Sequence, residues 1–164
     1  MTQITFKQNP VTLTGEQKQP GDKAPSFTVL GTDLSEVNFE PGNGKKILLS
    51  VVPSIDTGTC DKQTRKFNEE VSQVEGAEIW TISADLPFAQ RRWCAAADLE
   101  NAKVFSDHRD LDFGKKFGVV IDEMRLLSRS VFVIDEQGTI TYVEYVEEVS
   151  EHVNYEKALE ALKA

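Results

Sequence analysis

The amino-acid sequence predicts an α/β domain of three layers, with a mixed central sheet and an N-terminal β-hairpin. Short apolar runs typical of buried strands alternate along the chain with segments whose apolar residues recur at helical spacing. Near the C-terminus, two strand-like runs are joined by the turn sequence Asp135-Glu136-Gln137-Gly138, which indicates an antiparallel hairpin. We therefore expect parallel and antiparallel strands within one sheet.

The N-terminal part of the chain is predicted to contain mainly strands. Two short alternating runs, at residues 4–6 and 11–14, are separated by Asn9-Pro10 and indicate the hairpin. Proline- and glycine-containing turns then precede a further short run, Phe27–Leu30. The predominantly apolar segment at 46–52 is typical of a strand that is buried on both faces.

The spacing of apolar residues becomes helical at Cys60 and stays so to residue 74, and Gly76 ends that helix. A buried strand at 78–82 follows, and the next helix is predicted to begin near Pro87 with Asp85 as its N-cap. The remaining predicted elements are a strand at 104–105, a helix at 111–117, hairpin strands at 130–134 and 139–145, and a helix at 155–163.

Length and composition restrict the class of protein. The 164 residues are predicted to form one domain, residues 1–164, which is large enough to bury a core without disulfides or metals. The net charge of −9 disfavours nucleic acid and anionic membranes as partners. We see no secretory signal and no run long enough to cross a membrane, so we expect a cytoplasmic protein. The two cysteines and two histidines are not spaced as zinc ligands, and no metal site is expected.

The run Pro53-Ser54-Ile55-Asp56-Thr57-Gly58-Thr59-Cys60 is the most informative feature of the sequence. Because a strand pattern precedes it and a helix pattern follows, Cys60 is expected in the first turn of a helix, near free backbone N–H groups and the positive end of the helix dipole. These surroundings favour the thiolate, the reactive form of cysteine. Thr57 can bring its hydroxyl to the sulfur or to a bound oxygen, and Pro53, which lacks an N–H, shapes the loop.

Cys94 is the only other cysteine of the chain, so a reactive Cys60 has a single potential partner, which indicates redox chemistry. The residues alone leave a structural interpretation open, because free cysteine is often buried and inert. Cys60 would then pack as a small apolar residue beneath a helix cap. Cys94 would pack in the core beside Trp93.

The spacing Pro-x-x-x-Thr-x-x-Cys, here Pro53, Thr57 and Cys60, resembles the active-site signature of the peroxiredoxins. Further segments are similar to the thiol peroxidase subfamily, the atypical two-cysteine peroxiredoxins, at residues 9–13, 21–29, 53–68, 83–94 and 129–135. Thr59 and Arg125 depart from that subfamily, which usually has an apolar residue and a glycine there. Residues 151–155 lack its usual proline.

This resemblance implies a thioredoxin-like fold and a thiol-dependent peroxidase that reduces hydrogen peroxide or organic hydroperoxides. It matches Cys60 to the peroxidatic cysteine, Cys94 to the resolving cysteine, and Arg129 to the arginine that supports the thiolate. It also implies a Cys60–Cys94 disulfide intermediate, thioredoxin as the reductant, a homodimer, and no metal, haem or flavin. Because both thiols are predicted on separate helices, we expect local unfolding around each cysteine in every cycle.

Two other functions stay compatible with the same residues. A thiol–disulfide oxidoreductase usually carries Cys-x-x-Cys, whereas this chain has Gln63 at the second position. A non-enzymatic peroxide sensor would use the same chemistry at Cys60 and pass its oxidation to a partner protein. Because the same residues fit both functions, the sequence gives little basis for distinguishing a sensor from a peroxidase.

Overall fold

The computed structural model describes residues 2–99 and 102–164, which form two sheets and four helices. In chain order, the elements are β1 (Thr2–Phe6), β2 (Asn9–Thr14), β3 (Phe27–Leu30), β4 (Glu36–Phe39), β5 (Lys46–Val51), α1 (Gly58–Val71), β6 (Ala77–Ser83), α2 (Pro87–Ala96), β7 (Val104–Ser106), α3 (Asp112–Phe117), β8 (Val120–Ile121), β9 (Leu126–Leu127), β10 (Ser130–Ile134), β11 (Ile140–Tyr145) and α4 (Tyr155–Lys163).

The larger sheet has seven strands in the order β11-β10-β5-β6-β7-β3-β4. The β5–β6 and β6–β7 pairs are parallel, and the other pairs are antiparallel, so the predicted mixed sheet is confirmed. The antiparallel pairing of β10 with β5 places Ser130 opposite Val51. Residues that lie far apart in sequence therefore meet at the C-terminal end of β5.

Helices cover both faces of this sheet, as the predicted three layers require. Successive residues of a strand point to opposite faces, and β5 shows the result. Leu48 packs in a core that includes Phe67 of α1 and residues of α4. Leu49 packs in a second core that includes Phe113 of α3.

The N-terminal hairpin is confirmed, but its turn lies earlier than the sequence indicated. β1 and β2 pair from Thr2 opposite Leu13 to Phe6 opposite Asn9. Lys7 and Gln8 form the turn with positive φ angles of 50° and 68°, and Asn9 and Pro10 already belong to β2. The short strands β8 and β9 extend the hairpin into a four-stranded sheet.

Three further details differ from the sequence-based expectation. The edge strand β4 was not predicted, because only Phe39 among its four residues is buried and its pattern is weak. Helix α1 ends at Val71, before residue 74. The N-cap of α2 is Leu86, which offers no side-chain oxygen to the helix, so the prediction of Asp85 as N-cap is wrong.

Candidate functional site

The Cys60 thiol lies at the N-terminus of α1, as the sequence predicts. Cys60 is the third residue of that helix and is 0% exposed. Thr57 is the N-cap: its Oγ1 accepts a hydrogen bond from the Cys60 N–H at 3.3 Å, and its carbonyl accepts one from the Asp61 N–H at 2.8 Å. The sulfur is therefore held where the helix dipole is positive. Pro53 is buried in the loop that connects β5 to this cap.

Arg129 contacts the Cys60 sulfur directly, although the two residues are far apart in sequence. Arg129 immediately precedes β10, and the pairing of Ser130 with Val51 places it beside the loop that follows β5. Its Nη2 donates a hydrogen bond to Cys60 Sγ at 3.1 Å. The side chain is 2% exposed, so a buried cation adjoins a buried thiol. In this arrangement the guanidinium favours the thiolate over the thiol.

Gln63 fixes the direction of this guanidinium and was not identified as a site residue from the sequence. Its Oε1 accepts from Arg129 Nη1 at 2.8 Å. Its Nε2 donates to Ser50 Oγ at 2.9 Å and to the Val51 carbonyl at 3.5 Å. Gln63 is fully buried one turn after Cys60. Because buried polar groups need hydrogen-bond partners, a polar residue on the apolar face of the predicted helix could have indicated that Gln63 is a site residue.

The loop at 146–150 supplies the third partner of Arg129. The Val149 carbonyl accepts from Arg129 Nε at 2.7 Å. Next to it, the Ser150 carbonyl accepts from the Thr59 hydroxyl at 3.3 Å, so the unusual Thr59 ties α1 to this loop. Glu148 connects the loop to the N-terminal hairpin by accepting from the backbone N–H groups of Gln8 and Ser150, both at 2.7 Å.

Asp85 braces the loop on the other side of the thiol. Its Oδ2 accepts from the Ile55 N–H at 2.9 Å and from the Ser83 hydroxyl at 2.6 Å. Its Oδ1 accepts from the Ser54 hydroxyl at 2.7 Å. The carboxylate expected to cap α2 therefore holds the loop that contains Pro53.

Cys94 lies in the second half of α2 and is 5% exposed. Both cysteines are free thiols, and burial raises the pKa of the Cys94 thiol. Trp93, the preceding residue, packs against the small cluster formed by Cys60, Val52 and Ile55. The structure thus brings Pro53, Thr57, Cys60 and Arg129 into one site, with α2 as a neighbouring wall.

The surroundings of the site contain an apolar groove. Ile55 and Trp93 line it together with Phe88, which is 64% exposed and so does not belong to the core. The groove has a volume of about 580 Å³. His108 and His152 are exposed.

Metal-binding clusters and membrane-spanning helices are absent from the described residues. No group of three or more histidine, cysteine, aspartate or glutamate side chains is arranged to bind a metal in residues 2–99 and 102–164. Over the same residues, no helix is long and apolar enough to span a membrane.

Comparison with known proteins agrees with this geometry. The Redoxin family pattern matches residues 19–159. A thiol peroxidase of Halalkalibacterium halodurans is 62% identical over 164 residues, which cover 100% of this chain and 99% of the relative. A thiol peroxidase of Bacillus subtilis is 55% identical over 164 residues, covering 100% of this chain and 98% of the relative.

Solved structures support the same assignment. The crystal structure of a peroxiredoxin-like protein from Aquifex aeolicus superposes with a TM-score of 0.92 at 37% identity, covering 99% of this chain and 96% of the other. A thiol peroxidase from Chromobacterium violaceum has a TM-score of 0.89 at 18% identity, covering 99% and 96%, and supports the fold alone. The expected thioredoxin-like peroxiredoxin fold is therefore confirmed, and the chain belongs to the Redoxin family and, within it, to the thiol peroxidase group of the peroxiredoxins.

Proposed function

We propose that this protein is a thiol-dependent peroxidase in which the Cys60 thiolate reduces hydrogen peroxide or an organic hydroperoxide. The single observation that carries the proposal is the 3.1 Å hydrogen bond from Arg129 Nη2 to Cys60 Sγ at the start of α1. The sulfur attacks one peroxide oxygen, an S–O bond forms and the O–O bond breaks. The other oxygen leaves with a proton as water or an alcohol, and Cys60 becomes a sulfenic acid.

Arg129 and Thr57 are the groups proposed to stabilise this reaction. The guanidinium stays protonated and presents a rigid fork of donors, so it can stabilise both the thiolate and the charge that develops on the peroxide oxygens. Thr57 Oγ1 accepts from the Cys60 N–H, which leaves the hydroxyl proton free to bond a peroxide oxygen. Pro53, which is buried, adds no donor of its own and shapes the loop between β5 and the Thr57 cap.

Cys94 is the proposed resolving residue. Its thiolate attacks the Cys60 sulfenic sulfur, an S–S bond forms, and the S–O bond breaks with release of water. A dithiol protein, for which we propose thioredoxin, then returns both cysteines to thiols by disulfide exchange. The reducing conditions of the cytoplasm, where we place the reaction, suit two cysteines that are free in the resting protein.

The proposed assembly is a homodimer of single-domain subunits. Phe88 and Leu86 expose apolar surface beside the thiol loop, and such surface favours a protein partner such as a second copy.

Residues 1–164 are proposed to form one domain. Backbone hydrogen bonds of 2.8 Å from the Thr5 N–H to Glu147 and from the Val149 N–H to Thr5 support it by joining the two ends of the chain.

Peroxide consumption coupled to thioredoxin tests the proposal. We expect wild-type protein to consume peroxide rapidly and Cys60→Ser to lose that activity. With thioredoxin as reductant, Cys94→Ser should complete one fast turnover and then stall with Cys60 as sulfenic acid. Full activity in Cys60→Ser would refute the mechanism, and unchanged steady-state turnover in Cys94→Ser would remove Cys94 from it.

A further inference from the structure

The neighbours of the two cysteines are bonded to each other. Trp93, which precedes Cys94, donates from Nε1 to Oδ1 of Asp61, which follows Cys60, at 2.7 Å. The other carboxylate oxygen, Asp61 Oδ2, accepts from Arg65 Nε at 2.9 Å. The Arg65 guanidinium carbon also lies 5.4 Å from the centroid of the Trp93 ring. Asp61, Arg65 and Trp93 thus form a closed set of three contacts, which we call the clamp: two of them join α1 to α2, and the contact between Asp61 and Arg65 lies within α1.

The two cysteines do not share one environment in this conformation. Trp93 faces the Cys60 cluster. Cys94, about 100° further around the helix, lines a different cavity of about 330 Å³ with Thr32, Arg91 and Ala102. A disulfide requires the two α-carbons to be about 4.4–6.8 Å apart with their side chains directed at each other. Because α2 ends at Ala96, less than one turn beyond Trp93, unwinding of this last turn redirects Cys94 and withdraws Trp93 from Asp61.

We propose that Asp61, Arg65 and Trp93 are positioning residues whose clamp sets the rate at which the Cys60 sulfenic acid is converted to the disulfide. This inference rests on the proposed function, since it concerns the second step of that reaction. With the clamp closed, Cys60 faces Arg129 and reacts with peroxide. With the clamp open, the Cys94 thiolate can reach the sulfenic sulfur, form the S–S bond and release water.

The chemistry of the clamp suits a contact that opens in every cycle. Half of the Arg65 side chain is exposed, and the Asp61 side chain is 32% exposed, so water can replace their contacts when the helix end unwinds. Exposed ion pairs contribute little to stability, whereas a hydrogen bond from an indole to a carboxylate contributes more. The Trp93 to Asp61 bond is therefore the main contact that must break.

Trp93→Phe is the direct test, because it removes the N–H donor and keeps an aromatic ring against the Cys60 cluster. In single-turnover experiments, Cys60 oxidation and disulfide formation are followed separately by rapid quenching, alkylation and mass spectrometry. We expect the ratio of the disulfide rate to the peroxide rate to rise about three- to tenfold, which corresponds to the loss of one hydrogen bond of ordinary strength, because water screens this partly exposed carboxylate. At high peroxide, the variant should accumulate less sulfinic acid, since the sulfenic acid has a shorter lifetime.

Arg65→Met provides a second variant at a more exposed position, and we expect a smaller rise of the same ratio. Trp80→Phe is the matched control, because Trp80 donates to Glu78 at 3.3 Å away from both cysteines. It should leave the ratio unchanged. An unchanged ratio in Trp93→Phe, or an equal rise in Trp80→Phe, would overturn the inference. Peroxidase activity that survives Cys60→Ser would instead overturn the proposed function.

Discussion

Replacing Gln63 by glutamate tests whether the positive charge of Arg129 stabilises the Cys60 thiolate. Arg129 is bonded to two neutral oxygens, of Gln63 and Val149, and to one group that becomes an anion, Cys60. No ion pair within 4.0 Å joins Arg129 to a carboxylate in the described part of the chain. Its positive charge is therefore available to the thiolate. Gln63→Glu keeps the size of the side chain and adds a competing anion on the guanidinium, and it also removes the Nε2 donor to Ser50 and Val51.

The expected magnitude follows from these contacts. A hydrogen bond from a charged donor contributes about 1.5–3 kcal/mol, which sets the most that the thiolate could lose. A carboxylate on Nη1, where the amide oxygen now lies at 2.8 Å, weakens the Nη2 to sulfur bond without removing it. We expect a loss near the lower limit, which corresponds to about a tenfold slower reaction with peroxide near neutral pH.

Other titratable groups near Cys60 and Arg129 do not mask the slower peroxide reaction expected in Gln63→Glu. Although His152 is exposed overall, desolvation of its imidazole lowers its pKa, helped by the positive charges of Arg129, Lys62 and Lys66, so the ring is mainly neutral near pH 7. Burial raises the pKa of Tyr155, which is neutral there as well. Asp61, next to Cys60, is bonded to Arg65 and Trp93 in the clamp.

The assay combines two measurements in a Cys94→Ser background. Competition kinetics give the rate of the first peroxide reaction, and the rate of Cys60 alkylation against pH reports thiolate formation. At the same pH, alkylation of Cys60 should be slower in Gln63→Glu than in the parent. Asn68→Asp adds a carboxylate on the same helix, at a residue whose amide donates to the Thr64 carbonyl, and should leave both measurements unchanged. The reasoning fails if Gln63→Glu changes neither measurement, or if Asn68→Asp changes them equally.

Three further predictions concern carboxylates: Glu148 and Asp85, which brace the loops around the site, and Asp107, which bonds the backbone of α3. Hydrogen bonds from Ser150, Gln8 and Thr5 lower the pKa of Glu148 from 4.5 to about 2, so its contribution to stability is present above pH 4.5 and is lost as the pH falls towards 2. Urea unfolding of Glu148→Gln at a series of acidic pH values should show a smaller loss over that interval than wild type. Burial raises the pKa of Asp107 from 3.8 to about 7, against hydrogen bonds from Gly114 and Phe113, so this group destabilises the fold increasingly as the pH rises from about 4 to 7. Asp107→Asn should therefore flatten the dependence of the unfolding free energy on pH over that range. Asp85→Ala leaves the Ile55 N–H and two hydroxyls without their acceptor and should lower the free energy of unfolding by about 1–3 kcal/mol, measured in urea.

The sequence was sufficient for those parts of the site that are local in the chain. A strand, a loop with proline and a helix that begins at a threonine cap are short-range features, and they placed Cys60 in the first turn of α1. Arg129 could be assigned only through the family resemblance. Its position depends on the pairing of β10 with β5, and no local pattern specifies which strands become neighbours.

The supporting residues were missed for the same physical reason. Glu148 belongs to an acidic segment that we would interpret as a solvated surface, yet it binds backbone groups of Lys7 and Gln8 at the opposite end of the chain. Asp85 precedes α2 and looked like its cap, but the loop at Ser54 and Ile55 offers it stronger donors. Hydrogen bonds between distant segments depend on the assembled fold, so a sequence pattern does not contain them.

The two steps of the proposed cycle make opposite demands on Cys60, and the structure separates the contacts that serve them. Reduction of peroxide requires a fixed sulfur beside Arg129. That arginine is fixed by Gln63 of α1, which is anchored on Ser50 of β5, and by the Val149 carbonyl in the loop at 146–150. Disulfide formation requires α2 to unwind, and none of the three Arg129 bonds involves α2. The clamp at Trp93 does. The first step can therefore be altered at Gln63 and the second at Trp93, and variants at these two positions should combine additively when each rate is measured alone.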